Sequence, residues 1–108
     1  MRYLMMSKDS GDSTPDEKLF ADMAAFVEEL SAAGVLLATG GLGPDGIRVS
    51  SKGDEITVTD GPFAEAKEAV AGFALVEVRS KEEAIELTRR FRKIVGDGES
   101  VIQQVFGP

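Results

Sequence analysis

Residues whose types and spacing bear on chemistry are few in this chain, and most lie between Thr57 and Glu68. Here an alternating stretch, Thr57-Val58-Thr59, runs into Asp60-Gly61-Pro62-Phe63 and then into the charged, helix-prone segment Ala64-Glu65-Ala66-Lys67-Glu68. Proline has no amide hydrogen, so Asp60 is denied the usual side-chain turn onto the residue two ahead. Its carboxylate is instead directed at the amides of Phe63 or Ala64, as in an N-capping acid. Two roles follow for Asp60: a rigid corner that satisfies backbone donors, or a base or ligand anchor whose remaining lone pairs face a pocket. A carboxylate held by several amides is stabilised in its charged form, which favours anchoring over proton abstraction. Lys67 and Glu68 lie about one to two helical turns beyond Asp60, so they line the same space or form a solvated face. Tyr3, the only tyrosine, is either a hydrogen-bond donor to that space or an amphipathic core residue.

The rest of the composition narrows the chemistry. With no cysteine and no histidine, disulfides, thiolate nucleophiles, cysteine-based metal centres and imidazole bases are excluded. Ser-His-Asp and Cys-His arrangements are excluded with them. No spaced carboxylate cluster of the calcium-loop type occurs, so neither a metal nor another cofactor is expected. Gly40-Gly41-Leu42-Gly43 is only superficially like a phosphate loop, because it lacks the lysine-serine ending and the helix that would open on the phosphate.

Twelve basic against nineteen acidic residues give a net charge of −7, a poor match to a nucleic-acid backbone. The basic run Arg89, Arg90, Arg92 and Lys93 falls in the last turns of an expected helix, where cations meet the helix dipole favourably. No apolar run approaches the ~20 residues that cross a bilayer, and the N-terminus does not follow a signal-peptide pattern. No membrane partner and a cytoplasmic location are therefore expected.

The elements that must position these residues follow from periodicity. The 108 residues, 43% of them hydrophobic, make one domain spanning 1–108. Arg2–Ser7 is apolar on both faces and reads as a buried strand. Thr14-Pro15-Asp16-Glu17 is a helix start with Thr14 as cap and Glu17 completing a capping box. Leu19, Met23, Phe26, Val27 and Leu30 form an apolar stripe that ends at Gly34. Val35–Thr39 is a second strand, and Ile47–Ser51 and Glu55–Thr59 form a hairpin around Lys52-Gly53-Asp54. Ala71–Arg79 is the next strand, with Phe73 and Leu75 on one face and Ala74, Val76 and Val78 on the other. Ser80 to Glu83 is a further capping box, leading Ala84, Leu87, Thr88, Phe91 and Val95 at helical period. Glu99–Phe106 is the last strand. Two split β-α-β units with an inserted hairpin predict an α+β, ferredoxin-like fold: one antiparallel sheet with both helices on one face. Apolar residues on both strand faces leave the second face in need of cover, and a second copy of the chain is the expected cover.

The block Asp60–Glu68 resembles the signature of the DGPF group in the YCII-related (YciI-like) family. Met1–Met5, Ala33–Leu36, Gly41–Pro44 and Ala71–Phe73 correspond to family patterns as well. The resemblance implies a dimeric ferredoxin-like α/β-barrel, and, through relatives thought to be enzymes, a histidine–aspartate pair in a cleft. The aspartate maps onto Asp60. No residue here takes the histidine role, since Gly43 lies in the segment where family members often carry it, and Ala66 stands where the motif usually has threonine. Genes of the family often neighbour those of extracytoplasmic-function sigma factors. The leading expectation is a homodimeric protein that binds an unknown small molecule through Asp60, Gly61, Pro62, Phe63, Lys67 and Tyr3. The alternatives are a lyase or hydrolase of small organic acids or aromatics, with Asp60 as base and Lys67 as charge stabiliser, and an interaction module linked to a sigma factor.

Overall fold

The computed structural model describes residues 1–9, 16–43, 45–61 and 70–107. The elements run β1 (Arg2–Asp9), α1 (Glu17–Ala32), β2 (Leu36–Gly41), β3 (Ile47–Lys52), β4 (Glu55–Asp60), β5 (Val70–Glu77), α2 (Lys81–Val95) and β6 (Gly98–Val105). Four strands make one sheet in the order β2-β5-β1-β6, with every neighbouring pair antiparallel, and β3 pairs with β4 in a separate two-stranded sheet. This is the expected α+β, ferredoxin-like topology with an inserted hairpin. Strands from the two β-α-β units alternate in the sheet, because each helix carries its chain across to a non-adjacent position.

Local chemistry sets the element ends. α1 starts at Asp16 rather than Thr14: Asp16 has extended backbone, and its carboxylate accepts from the Leu19 amide at 2.8 Å. An anionic acceptor at the N-cap satisfies an orphan donor and meets the positive end of the helix dipole, which moves the start two residues along. At the other end, the Gly34 amide donates to the Ser31 carbonyl and the Val35 amide to the Leu30 carbonyl. With Gly34 at φ 74°, this is a Schellman closure, so β2 begins at Leu36 rather than Val35. Ser80 caps α2 as expected, its hydroxyl accepting from the Glu83 amide at 3.1 Å. The hairpin turn tightens to Gly53-Asp54, with Gly53 at φ 61° and Lys52 paired with Glu55.

The core lies at one end of the helix–sheet layer. Tyr3, Val76, Val78 and Ala84 are buried together, with Val35, Leu36, Leu87 and Ile102 packed against them. Phe26 and Leu30 are buried on α1, whereas Leu19 and Met23, earlier on the same stripe, are half-exposed. Phe91 and Val95, late on α2, are also half-exposed. Both helices therefore bury their apolar stripes at one end and leave them open at the other. A bidentate pair ties them: Arg90 donates to both oxygens of Glu29 at 2.8 Å, and its guanidinium lies 4.9 Å from the centroid of the Phe26 ring.

The opposite face of the sheet is apolar. Leu4 pairs with Leu75 and Gln103, Met6 with Phe73 and Val101, and Arg2 with Glu77 and Val105; neither described helix covers these rows, which are apolar apart from Arg2, Glu77 and Gln103. The hairpin is amphipathic in the same way: Ile47, Val49, Ile56 and Val58 share one side, with Val49 opposite Val58, and each is at least 64% exposed. A radius of gyration of 16.0 Å, against roughly 13 Å for a compact chain of this length, fits an open two-layer body with an extended hairpin. No described helix is long and apolar enough to cross a membrane.

Candidate functional site

The space between the open ends of α1 and α2 and the sheet forms a cavity of about 580 Å³. Its floor is Met5 and Ser7 of β1, Gly41 of β2, Gly72 and Ala74 of β5 and Ile102 of β6; its roof is Leu19, Met23 and Phe26 of α1 with Phe91 of α2. Small residues make the room. Gly40, Gly41 and Gly72 sit where β2 and β5 pair, and a Cβ on Gly72 would come within 3.3 Å of the Gly40 carbonyl. The space is open at one end, so water enters it freely and an apolar molecule of matching shape would displace that water from apolar walls.

The polar side chains that line the cavity are Ser7, Lys8, Thr39, Thr88 and Arg92, and Ser100 stands behind Ser7 and Arg92. The Ser7 and Ser100 hydroxyls lie 3.1 Å apart across the β1–β6 pairing, and Arg92 donates to Ser100 Oγ at 3.2 Å and to the Gly96 carbonyl at 2.7 Å. The Arg92 guanidinium also stands 5.5 Å from the Phe91 ring centroid. Thr39 is spent on the Phe73 carbonyl at 2.9 Å. No buried side-chain polar atom among the described residues lacks a partner.

Tyr3 lines the inner end of this cavity and is 6% exposed, so it is a core residue and a wall residue at once. Asp60 ends β4, is exposed, and pairs with Ile47 on the apolar side of the hairpin. It is not among the cavity-lining residues, so Tyr3 and Asp60 do not share a wall. Gly61 is half-buried and its amide donates to the Gly46 carbonyl at 2.8 Å, closing the base of the hairpin. Pro62, Phe63, Lys67 and the remainder of the charged segment, with the capping contact expected from Asp60, lie outside the described residues. Directly after that segment, Val70 pairs with Lys8, and Ala71 and Gly72 enter the cavity wall. In the sequence the block is thus followed by β5, which contributes to the cavity wall.

Arg92 is the residue that sequence reasoning passed over. Its place in a basic run near a helix end matched a solvated, dipole-complementing cation. The signal that distinguishes it is Gly98, three residues beyond the helix, where a Cβ would sit 2.5 Å from an Arg92 nitrogen. Among the described residues, no group of three or more acidic, histidine or cysteine side chains converges as a metal site.

The model of the YCII-related domain matches residues 1–102. This chain belongs to the YCII-related family. The YCII-related domain is 34% identical over 76 residues to an uncharacterized protein of Rhizobium meliloti (strain 1021); the match takes in 68% of this chain and 61% of that protein. The chain thus spans about three fifths of the length of that curated relative. Among solved structures, the YCII-related domain resembles the 5-chloro-2-hydroxyhydroquinone dehydrochlorinase of Burkholderia phenoliruptrix AC1100, solved in complex with 2,5-dihydroxybenzoquinone. The TM-score is 0.56 at 16% identity, covering 100% of this chain and 96% of that one. At that identity the likeness is one of fold.

Proposed function

We propose that this YCII-related domain is a small-molecule-binding protein that takes an organic ligand into the cavity between its helices and its sheet. The observation that carries the reading is the cavity itself: about 580 Å³, apolar-walled, with Ser7, Lys8 and Arg92 among its few polar side chains. This is the usual make-up of a ligand site. Asp60 is kept in the proposal as a candidate anchor, since β5, which follows its segment in the sequence, supplies Ala71 and Gly72 to the cavity wall. The test is a thermal-shift screen of small organic molecules on the wild type, Met23→Trp and Asp60→Ala. Stabilisation by ligand that is lost in Met23→Trp, where an indole fills the space under the roof, supports the cavity as the site. Stabilisation that survives in Met23→Trp removes it. Loss in Asp60→Ala adds Asp60 as an anchor, and retention leaves it a corner.

The dimer expected from the two-faced sheet is part of the same proposal. Leu4, Met6, Phe73, Leu75, Val101 and Val105 make an apolar sheet face that neither described helix covers. A second copy placed on it by a two-fold axis buries the same rows on both partners.

The second reading is an enzyme, a lyase or hydrolase of small organic acids or aromatics with Asp60 as base and Lys67 as charge stabiliser. What favours it is the fold likeness to a dehydrochlorinase solved with a quinone. It ranks second because the chain contains no histidine to share proton transfer with Asp60. Turnover of hydroxylated chloroaromatics by the wild type, abolished in Asp60→Asn, would reverse that ranking.

A further inference from the structure

We infer that the ligand of the helix–sheet cavity is an anion with an apolar, aromatic-sized body, its anionic group held by Arg92 with the Ser7 hydroxyl, Ser100 bracing both from behind. The inference rests on the cavity reading above and specifies what that cavity selects.

The chain carries a net −7, and Arg90, close by on the same helix, is engaged with Glu29 through both its terminal nitrogens. Arg92 is different. It is half-buried, lines the cavity, and forms no ion pair with any carboxylate among the described residues. Its two hydrogen bonds go to neutral oxygens, Ser100 Oγ and the Gly96 carbonyl. A guanidinium has five N–H donors, so further donors remain. A cation drawn away from bulk water without a counter-charge is stabilised by any anion that reaches it.

The surroundings hold the guanidinium in place. The Gly96 carbonyl at the end of α2 fixes one nitrogen, and Phe91 provides a ring face 5.5 Å from the guanidinium. Gly98 takes φ +143°, and any Cβ there would collide with Arg92 at 2.5 Å and with the Lys8 carbonyl at 2.9 Å. The Ser7 and Ser100 hydroxyls, 3.1 Å apart, add rotatable donors beside it. The nearby acids are turned elsewhere in the pairing: Glu99 is opposite Lys8, in the register alternate to Ser7 and Ser100. Asp97 is exposed in the loop before β6, and Glu86, 4.0 Å from Arg89, lines a second, smaller pocket with Arg92 and Ser100 but not the cavity itself. Beside Arg92 and Ser7 the wall continues as Met23, Phe26 and Phe91, surfaces that suit an aromatic ring. A carboxylate would be bound by the guanidinium fork and a ring by the methionine and phenylalanine walls.

The experiment compares 2-naphthoate with 2-naphthamide, isosteres that differ in charge, by isothermal titration calorimetry on the full chain. Saturable binding of naphthoate with naphthamide at least about tenfold weaker is expected, the scale of a charged hydrogen bond over a neutral one. Arg92→Gln should weaken naphthoate by about tenfold or more and leave naphthamide within about twofold. Arg92→Lys, which keeps the charge and loses the fork, should fall between, and Ser100→Ala should cost naphthoate less than Arg92→Gln does. Equal affinity for acid and amide in the wild type overturns the anion assignment and leaves the cavity reading standing. Binding of neither probe overturns both. Should Arg92→Gln fail to fold, the wild-type ratio and Arg92→Lys decide.

Discussion

At Gly98 the backbone adopts φ +143°, and the space a Cβ would need is already held by Arg92 and the Lys8 carbonyl. Gly98→Ala therefore combines backbone strain with a clash, and should destabilise the domain by about 1–3 kcal/mol in urea unfolding. The same change would displace the guanidinium, so naphthoate affinity should fall with it. Asp60 sits at the opposite extreme. It is exposed at the end of β4, and Asp60→Ala should change stability by no more than about 0.5 kcal/mol by the same measurement. The Glu29–Arg90 pair makes a prediction about pH. Hydrogen bonding from Arg90 holds the Glu29 carboxyl below its ordinary value, and the Arg90 guanidinium is raised by the same contact. A carboxyl whose pKa is lower folded than unfolded contributes stability above its unfolded value and loses it as pH falls through the folded one. The melting-temperature difference between wild type and Glu29→Gln should thus be present at neutral pH and vanish in acid. Both side chains are surface groups, so it should be small and shrink with salt.

At the scale of elements, the helix ends decide where the cavity opens. Asp16 caps the end of α1 that rises over the half-exposed Leu19 and Met23, and Ser80 caps the end of α2 beside the buried Ala84. Asp16→Ala should cost about 1 kcal/mol. Its effect should be concentrated at the cavity mouth, read as faster amide exchange over Leu19–Met23 than over Phe26–Leu30. Hairpin β3–β4 poses a different problem. Ile47, Val49, Ile56 and Val58 are exposed along one side, a pattern that isolated hairpins in water do not sustain without a partner surface.

The whole molecule carries two uncovered apolar surfaces, the open sheet face and the hairpin side, on a body of 46 × 38 × 20 Å. A monomer with both exposed would be prone to associate. The expected state in sedimentation velocity at micromolar concentration is a dimer. Leu75→Glu, in the middle of the sheet face, should convert it to monomer while leaving α1 and α2 folded by circular dichroism. A wild-type monomer at that concentration would remove the dimer from the proposal.

Much of this architecture was legible from local patterns. Period-two and period-3.6 spacing located the described strands and helices, and the split β-α-β order implied the sheet, because handedness and short connections leave few alternatives. The Asp60–Glu68 block marked the family for the same reason: it is contiguous. Competition between neighbouring groups shifted the boundaries, as where Asp16 out-competed Thr14 and Gly34 closed α1 before Val35. The sequence by itself therefore determined the elements, their order, the two-faced sheet and the absence of imidazole and thiol chemistry. Only the tertiary structure decided where the space lies and what faces it. Ser7, Met23, Gly72, Arg92 and Ile102 come from β1, α1, β5, α2 and β6, spread over most of the chain. Their convergence depends on how far the helix stripes lift from the sheet, a packing outcome that leaves no period in the sequence. Nothing in Arg89-Arg90-Phe91-Arg92 distinguishes one arginine from the next. The fold separates them, pairing Arg90 with Glu29 across the helices and turning Arg92 to Ser100 and the cavity.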